Sequence, residues 1–192
     1  MDRKLVTSQE APLFINSFPQ EVLPIKGTIG MTMAPGKKGS AIYANWNRDL
    51  DADLDTLKTI YKTDIIISLM EDFEFDSLKI PNFREKCAEK SIVNIRFNIV
   101  DGSVPKPEQV PDYIKMAKEI KLEAENGKNI VIHCMGGLGR TGTLAACLLV
   151  LFGHSNEDAI RVTRQYRKGA IETKTQENFV ETFRKLIAEL KE

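Results

Sequence analysis

A cysteine, five further residues, an arginine and a threonine occupy positions 134–141 as Cys-Met-Gly-Gly-Leu-Gly-Arg-Thr, directly after His133. Each residue type suits the capture of a tetrahedral anion. Glycines let successive backbone N–H groups converge into a nest. Arg140 adds a planar fork of donors that can hold two phosphate oxygens. Met135, Gly136, Gly137, Leu138, Gly139 and Arg140 are therefore the expected phosphate-binding residues. Cys134 stands at the mouth of this cradle, and a thiol among amide donors and a guanidinium ionises readily. Its thiolate can attack phosphorus, carry the phosphoryl group as a phosphocysteine and release it to water. Thr141 can donate its hydroxyl to the sulfur and steady it as the leaving group of the second step.

The bland reading of Cys134 is a small hydrophobe at a strand end; its spacing from Arg140 and the glycines between favour the catalytic one. His133 could be a base. Alternation along a strand turns it to the face opposite Cys134, so it is expected to support the loop structurally. Gly137-Leu-Gly139-Arg-Thr-Gly142 also fits a dinucleotide pattern. That fold needs a second strand with an acidic end about 20 residues later, whereas Glu157 and Asp158 fall at a helix start with only helices beyond. His133, His154 and the three cysteines lack zinc-ligand spacing, so neither metal nor cofactor is expected. Ester cleavage also needs a proton for the leaving oxygen. Asp101 is the best candidate, after a strand and before a proline-rich loop. An Asp-Gly turn is the competing reading, and Asp72 and Asp112 are the rival acids.

Elements must hold these groups. The apolar, β-branched runs at 64–69 and 129–133 read as strands buried on both faces, and 27–33 and 92–100 as two more. Helical spacing predicts helices at 49–61, 82–90, 113–126, 141–152, 156–168 and 175–191. Strands alternating with helices imply an α/β fold with a central, mainly parallel sheet flanked by helices. The cysteine–arginine loop then lies at the carboxyl end of a strand and opens a helix, whose dipole points its positive end at the anion. Residues 1–24, with three prolines, read as an irregular arm packed on the domain through Leu13, Phe14, Ile15 and Phe18. Residues 25–192 form a single catalytic domain.

Lysine plus arginine equals aspartate plus glutamate at 27 each, and 42% of the 192 residues are hydrophobic. A neutral balance of this kind points to neither nucleic acid nor a membrane surface. No apolar run nears the roughly 20 residues of a membrane span. Three cysteines without paired spacing argue for a reducing compartment, cytoplasmic or nuclear. Cys147 is expected in the core, and nothing local places Cys87 near Cys134.

With HCMGGLGRT at 133–141, IVDGSVP at 99–105 and GAIETKTQENF at 169–179, the chain resembles the protein-tyrosine phosphatase superfamily. Within it the likeness is to small dual-specificity phosphatases, above all the kinase-associated ones, over residues 25–190. The resemblance implies a cysteine-phosphatase fold. It matches Cys134 to the nucleophile, Arg140 to the phosphate-binding arginine, Thr141 to the hydroxyl after it and Asp101 to the general acid. Gln176 falls where relatives carry a glutamine that orients water, an exposed helix-start glutamine being the other reading. No counterpart of the tyrosine-recognition loop is visible, which implies a shallower pocket open to phosphoserine and phosphothreonine too. The implied partner is a phosphorylated protein, including a cyclin-dependent-type kinase, and the implied state a monomer.

Two other functions compete with a protein phosphatase. A phosphoinositide or inositol-phosphate phosphatase would use the same cradle with more basic residues, and this loop carries only Arg140. A non-catalytic phosphoprotein-binding module would need no nucleophile. Lys37 and Lys38 could face an incoming phosphoprotein, although a solvated turn is the plainer expectation. The same holds for Arg161, Arg164, Arg167 and Lys168, spaced along one helix.

Overall fold

The computed structural model describes residues 4–40 and 44–190. The first three residues of the expected arm and the last of the closing helix lie outside them. The elements run β1 (Leu5–Thr7), β2 (Asn16–Ser17), β3 (Thr28–Met33), β4 (Lys38–Ser40), β5 (Asn45–Asn47), α1 (Leu50–Thr59), β6 (Ile65–Ser68), α2 (Asp72–Ser77), α3 (Phe83–Glu89) and β7 (Val93–Arg96). A 3-10 turn at Pro107–Gln109 then leads into α4 (Val110–Glu125), β8 (Asn129–Cys134), α5 (Gly139–Leu151), α6 (Asn156–Tyr166) and α7 (Lys174–Glu189).

The central sheet is ordered β2-β3-β8-β6-β7. Four strands are parallel, and β2 pairs antiparallel at the edge, so the sheet is mixed and the class α/β. Strand β8, Asn-Ile-Val-Ile-His-Cys, lies between β3 and β6 with five of its six residues buried. Its run of branched residues is what a strand covered on both faces requires. Met33 stands opposite Cys134 and Ser68 opposite His133.

Helix α5 is apolar around its whole circumference from Leu144 on, and it is buried from Gly139 to Val150. A helix of that kind belongs inside, and α5 packs against β8, α4, α6 and α7. Leu144, Leu148 and Leu149 are fully buried, each contributing about 1.5–3 kcal/mol. The strand and the helix that bracket the cysteine–arginine loop are thus both deeply buried. The loop is suspended between fixed ends.

Several expectations change. Helix α5 begins at Gly139, two residues early, because the glycines that read as a turn are already helical. Helix α4 starts at Val110, since Pro111 fits a first helical turn. The strand expected over 92–100 stops at Arg96, and the chain then runs irregularly to Asp101. The small sheet β1-β5-β4 and helix α2 went unforeseen. Strands of three residues and a helix of six are too short for periodicity to register. In the arm, Leu13, Ile15 and Phe18 are buried, but Phe14 is 66% exposed. Alternation beside edge strand β2 points it outward. Among the described residues no helix is long and apolar enough to cross a membrane.

Candidate active site

Cys134 ends β8 and is 3% exposed. The chain then bends through residues 135–138 before α5 begins, as an anion nest requires. Gly137 takes φ +70°, and a Cβ there would stand 2.1 Å from Thr32 O on β3. Only glycine lets the loop lie against that strand. This geometry turns the Gly137 N–H onto Cys134 Sγ at 3.2 Å. The expected Thr141 hydrogen bond to the sulfur is not made: its hydroxyl is buried, with no partner among the described residues.

The loop's outer carbonyls are held from α6. Arg167, expected on a solvated face, donates to Gly137 O at 2.5 Å and Gly136 O at 3.2 Å, and to Asn16 Oδ1 at 2.6 Å. Arg164, from the same stripe, binds Ala170 O, Ile171 O and Glu177. Of these arginines only Arg161 behaves as a surface residue, paired with Asp158. With its carbonyl held by Arg167, Gly137 keeps its own N–H on the Cys134 sulfur.

Arg140, in the first turn of α5, is 1% exposed. A buried guanidinium needs a buried counter-charge, and Glu74 of α2 supplies both carboxylate oxygens, at 2.6 and 2.8 Å. Nη1 also donates to Leu69 O and Ile99 O. Nη2 reaches Asp101 Oδ1 at 2.8 Å. Burial disfavours the cation, but Glu74, the Cys134 sulfur and Asp101 outweigh it and hold the proton more firmly than usual. Nε is buried without a hydrogen-bond partner among the described residues. It is the donor left for a ligand.

Asp101 is thus brought to the arginine of the loop, with its side chain 71% exposed at the mouth. The rivals go elsewhere. Asp72 pairs with Arg96 at 2.5 Å, and Asp112 sits in the first turn of α4. The Asp101 loop is tied down by the start of α7. Thr173 Oγ1 donates to Gly102 O at 3.0 Å, and Gln176 Nε2 to Ser103 O at 3.2 Å. Gln176 is fully buried rather than an exposed helix start, and its Oε1 accepts from the Glu172 and Thr173 N–H groups. A Cβ on Gly139 would stand 2.8 Å from Gln176 Nε2 and 2.6 Å from Glu172 Oε2, so both side chains lie against the first residue of α5.

His133 is fully buried, with Nε2 2.6 Å from Ser68 Oγ and Nδ1 3.3 Å from Cys134 O. Burial pushes its pKa down to about 3, which keeps the ring neutral at physiological pH. Cys87 and Cys147 are buried free thiols; burial drives Cys87 up to about 12 and Cys147 higher still. Such thiols are poor nucleophiles.

Sequence reasoning missed Glu74, and it favoured a solvated surface for Arg167 and Lys37. Lys37, in the turn after β3, is half-buried with its ammonium 3.4 Å from Met135 O and 5.6 Å from the centre of the Trp46 ring. A pair of lysines between two glycines was the one available signal, and it did not say which lysine turns inward.

A family model for the Swiss Army Knife protein, DSP-PTPase phosphatase domain, matches residues 53–180. Cyclin-dependent kinase inhibitor 3 of Sus scrofa is 28% identical over 97% of this chain and 86% of its own length. Protein tyrosine phosphatase type IVA 3 of Homo sapiens is 39% identical over 44% of this chain and 47% of its own. Among solved structures, kinase associated phosphatase with its catalytic-site cysteine replaced by serine superposes with a TM-score of 0.83 at 26% identity, over 93% of this chain and 98% of that one.

Proposed function

Because this chain belongs to the DSP-PTPase phosphatase domain family, it is a phosphatase, and we propose that it hydrolyses phosphotyrosine, phosphoserine and phosphothreonine in proteins through a phosphocysteine on Cys134. The Cys134 thiolate attacks phosphorus in line with the ester oxygen, and the S–P bond forms as the P–O bond breaks. Asp101 gives its proton to the departing oxygen. Water then attacks the phosphocysteine, the Asp101 carboxylate takes its proton, the S–P bond breaks and inorganic phosphate leaves. Amides of the loop and Arg140 Nε stabilise the equatorial oxygens throughout. Thr141, whose hydroxyl is buried with no partner among the described residues, is the group that can turn to the sulfur as it departs.

One observation carries this reading: the same guanidinium lies against the loop that cradles Cys134 and ion-pairs with Asp101 at 2.8 Å. Nucleophile and acid therefore flank one anion site, whereas a binding module needs neither. Wild type is expected to release phosphate from para-nitrophenyl phosphate and Cys134→Ser to release none. Equal turnover by the two proteins would end the mechanism.

The resemblance to kinase-associated enzymes supports a phosphorylated kinase as substrate, in a cytoplasmic or nuclear setting where Cys134 stays reduced. A phosphoinositide substrate has one point in its favour, the Lys37 ammonium beside the loop. Against it stand Glu74, Asp101 and Glu172, which crowd the same region with negative charge. Incubating the Cys134→Ser protein with phosphoproteins and, separately, with phosphoinositide vesicles distinguishes the two by which one is retained.

A further inference from the structure

The catalytic arginine is over-subscribed. Glu74 occupies both ends of its fork and Asp101 one end again, so two carboxylates face a single guanidinium. With Asp101 protonated as the acid, Arg140 and Glu74 cancel, the Cys134 thiolate leaves one negative charge, and the Glu172 carboxylate lies against Gly139 nearby. A phosphate monoester arrives as a further dianion. Nest amides and a helix dipole supply partial positive charge, but the site also needs a full cation with donors to spare. Arg167 does not provide it: near enough to feel the Cys134 sulfur, it is held through all three of its nitrogens to Gly136 O, Gly137 O and Asn16 Oδ1, so it is not a cation free to turn to the phosphate.

Lys37 does. Its backbone is fixed: the Lys37 N–H donates to Ala34 O and its carbonyl accepts from Arg48 N. The preceding Gly36 donates to Asp53, which is locked in a buried pair with Arg48. From this anchored turn the side chain runs past Trp46 to the cradle, where Nζ spends one long hydrogen bond on Met135 O. Burial lowers the affinity of Lys37 for its proton, and the Cys134 sulfur and the Asp101 carboxylate, both near enough to be felt, offset only part of that loss.

We propose that Lys37 is a substrate-binding residue, whose ammonium donates to a non-bridging oxygen of the phosphate held over Cys134. The inference deepens the phosphatase reading and rests on its site. It also assigns the second cation to the reacting phosphate itself, not to another anionic group of the substrate.

Binding can be read without turnover, by the inorganic phosphate concentration that half-protects Cys134 from iodoacetamide, followed by intact mass. Losing one hydrogen bond between charged groups is expected to raise that concentration at least about tenfold in Lys37→Met. Lys37→Arg is expected to recover most of the affinity, and the KM for para-nitrophenyl phosphate to rise more than kcat falls. Lys37→Gln serves if the methionine variant is unstable. Half-protection within twofold of wild type in the neutral variants would overturn the proposal, as would equal weakening by methionine and arginine. If wild type hydrolyses no monoester while phosphate protection still depends on Lys37, the catalytic reading fails and this one stands.

Discussion

Arg140 meets Leu69 O, Glu74, Ile99 O and Asp101 through its two terminal nitrogens and leaves Nε open. The residue that defines the sequence signature is therefore held from outside it. Its spacing from Cys134 was readable because six consecutive residues build the cradle locally. Glu74 was not, because it lies 66 residues away and meets the arginine only once α2 is docked. An aspartate and two glutamates within 71–74 look like any charged helix start. Breaking such a buried pair costs about 3–5 kcal/mol, so Glu74 is as necessary to the site as the arginine it holds. For Asp101 the prediction is chemical: Asp101→Asn keeps a hydrogen-bonding side chain beside Arg140 but has no proton to give. Its kcat is expected to fall about 10²-fold or more, with the larger loss on alkyl than on aryl phosphates. Equal rates for both substrate types in wild type and variant would move the acid's role elsewhere.

At the scale of elements, the N-terminus of α7 acts as a clasp on the acid loop. Thr173 and Gln176 cap their own helix reciprocally and, with the remaining donors, grip Gly102 O and Ser103 O. A capping box is visible in sequence as a threonine and a glutamine three apart. That it also restrains a loop some 70 residues earlier is a property of the fold. Replacing Gln176 by alanine removes one grip and leaves the Glu172 and Thr173 amides without their acceptor, at about 1–3 kcal/mol in stability. Asp101 would then be less well placed, and displacement of that order costs up to about 10²-fold. We expect kcat on a phosphothreonine peptide to drop at least about tenfold in Gln176→Ala and amide exchange to quicken at 101–104. Unaltered exchange with normal kcat would remove the clasp from the mechanism.

For the molecule as a whole, the α/β class was legible because β6 and β8 are branched apolar runs and α5 is apolar from Leu144 on, patterns that only burial explains. The sheet β1-β5-β4 was not, since its strands are stabilised by neighbours rather than by a pattern of their own. The buried core also contains an ionisable group with consequences for stability. His133 has a folded pKa near 3, below its ordinary 6.5. As pH falls below about 6.5 the unfolded chain takes up this proton and the folded chain does not. Its stabilising contribution is therefore complete above that pH and is lost progressively towards pH 3, by up to about 1.4 kcal/mol per unit. Urea unfolding at pH 7 and pH 5 should show wild type losing more stability than His133→Asn over that interval. Matching losses would mean that the histidine is not held neutral.

Arg167 joins Gly136 and Gly137 to Asn16, so residues from the beginning, the third quarter and the last quarter of the chain converge on a single guanidinium. During synthesis at the ribosome the nucleophile emerges some thirty residues before the arginine that shapes its cradle. A domain folds as a unit, and a nascent chain stalled in that interval would display the cysteine without the means to use it. Under the proposed mechanism, chains stalled on the ribosome before Arg167 are expected to release no phosphate from para-nitrophenyl phosphate.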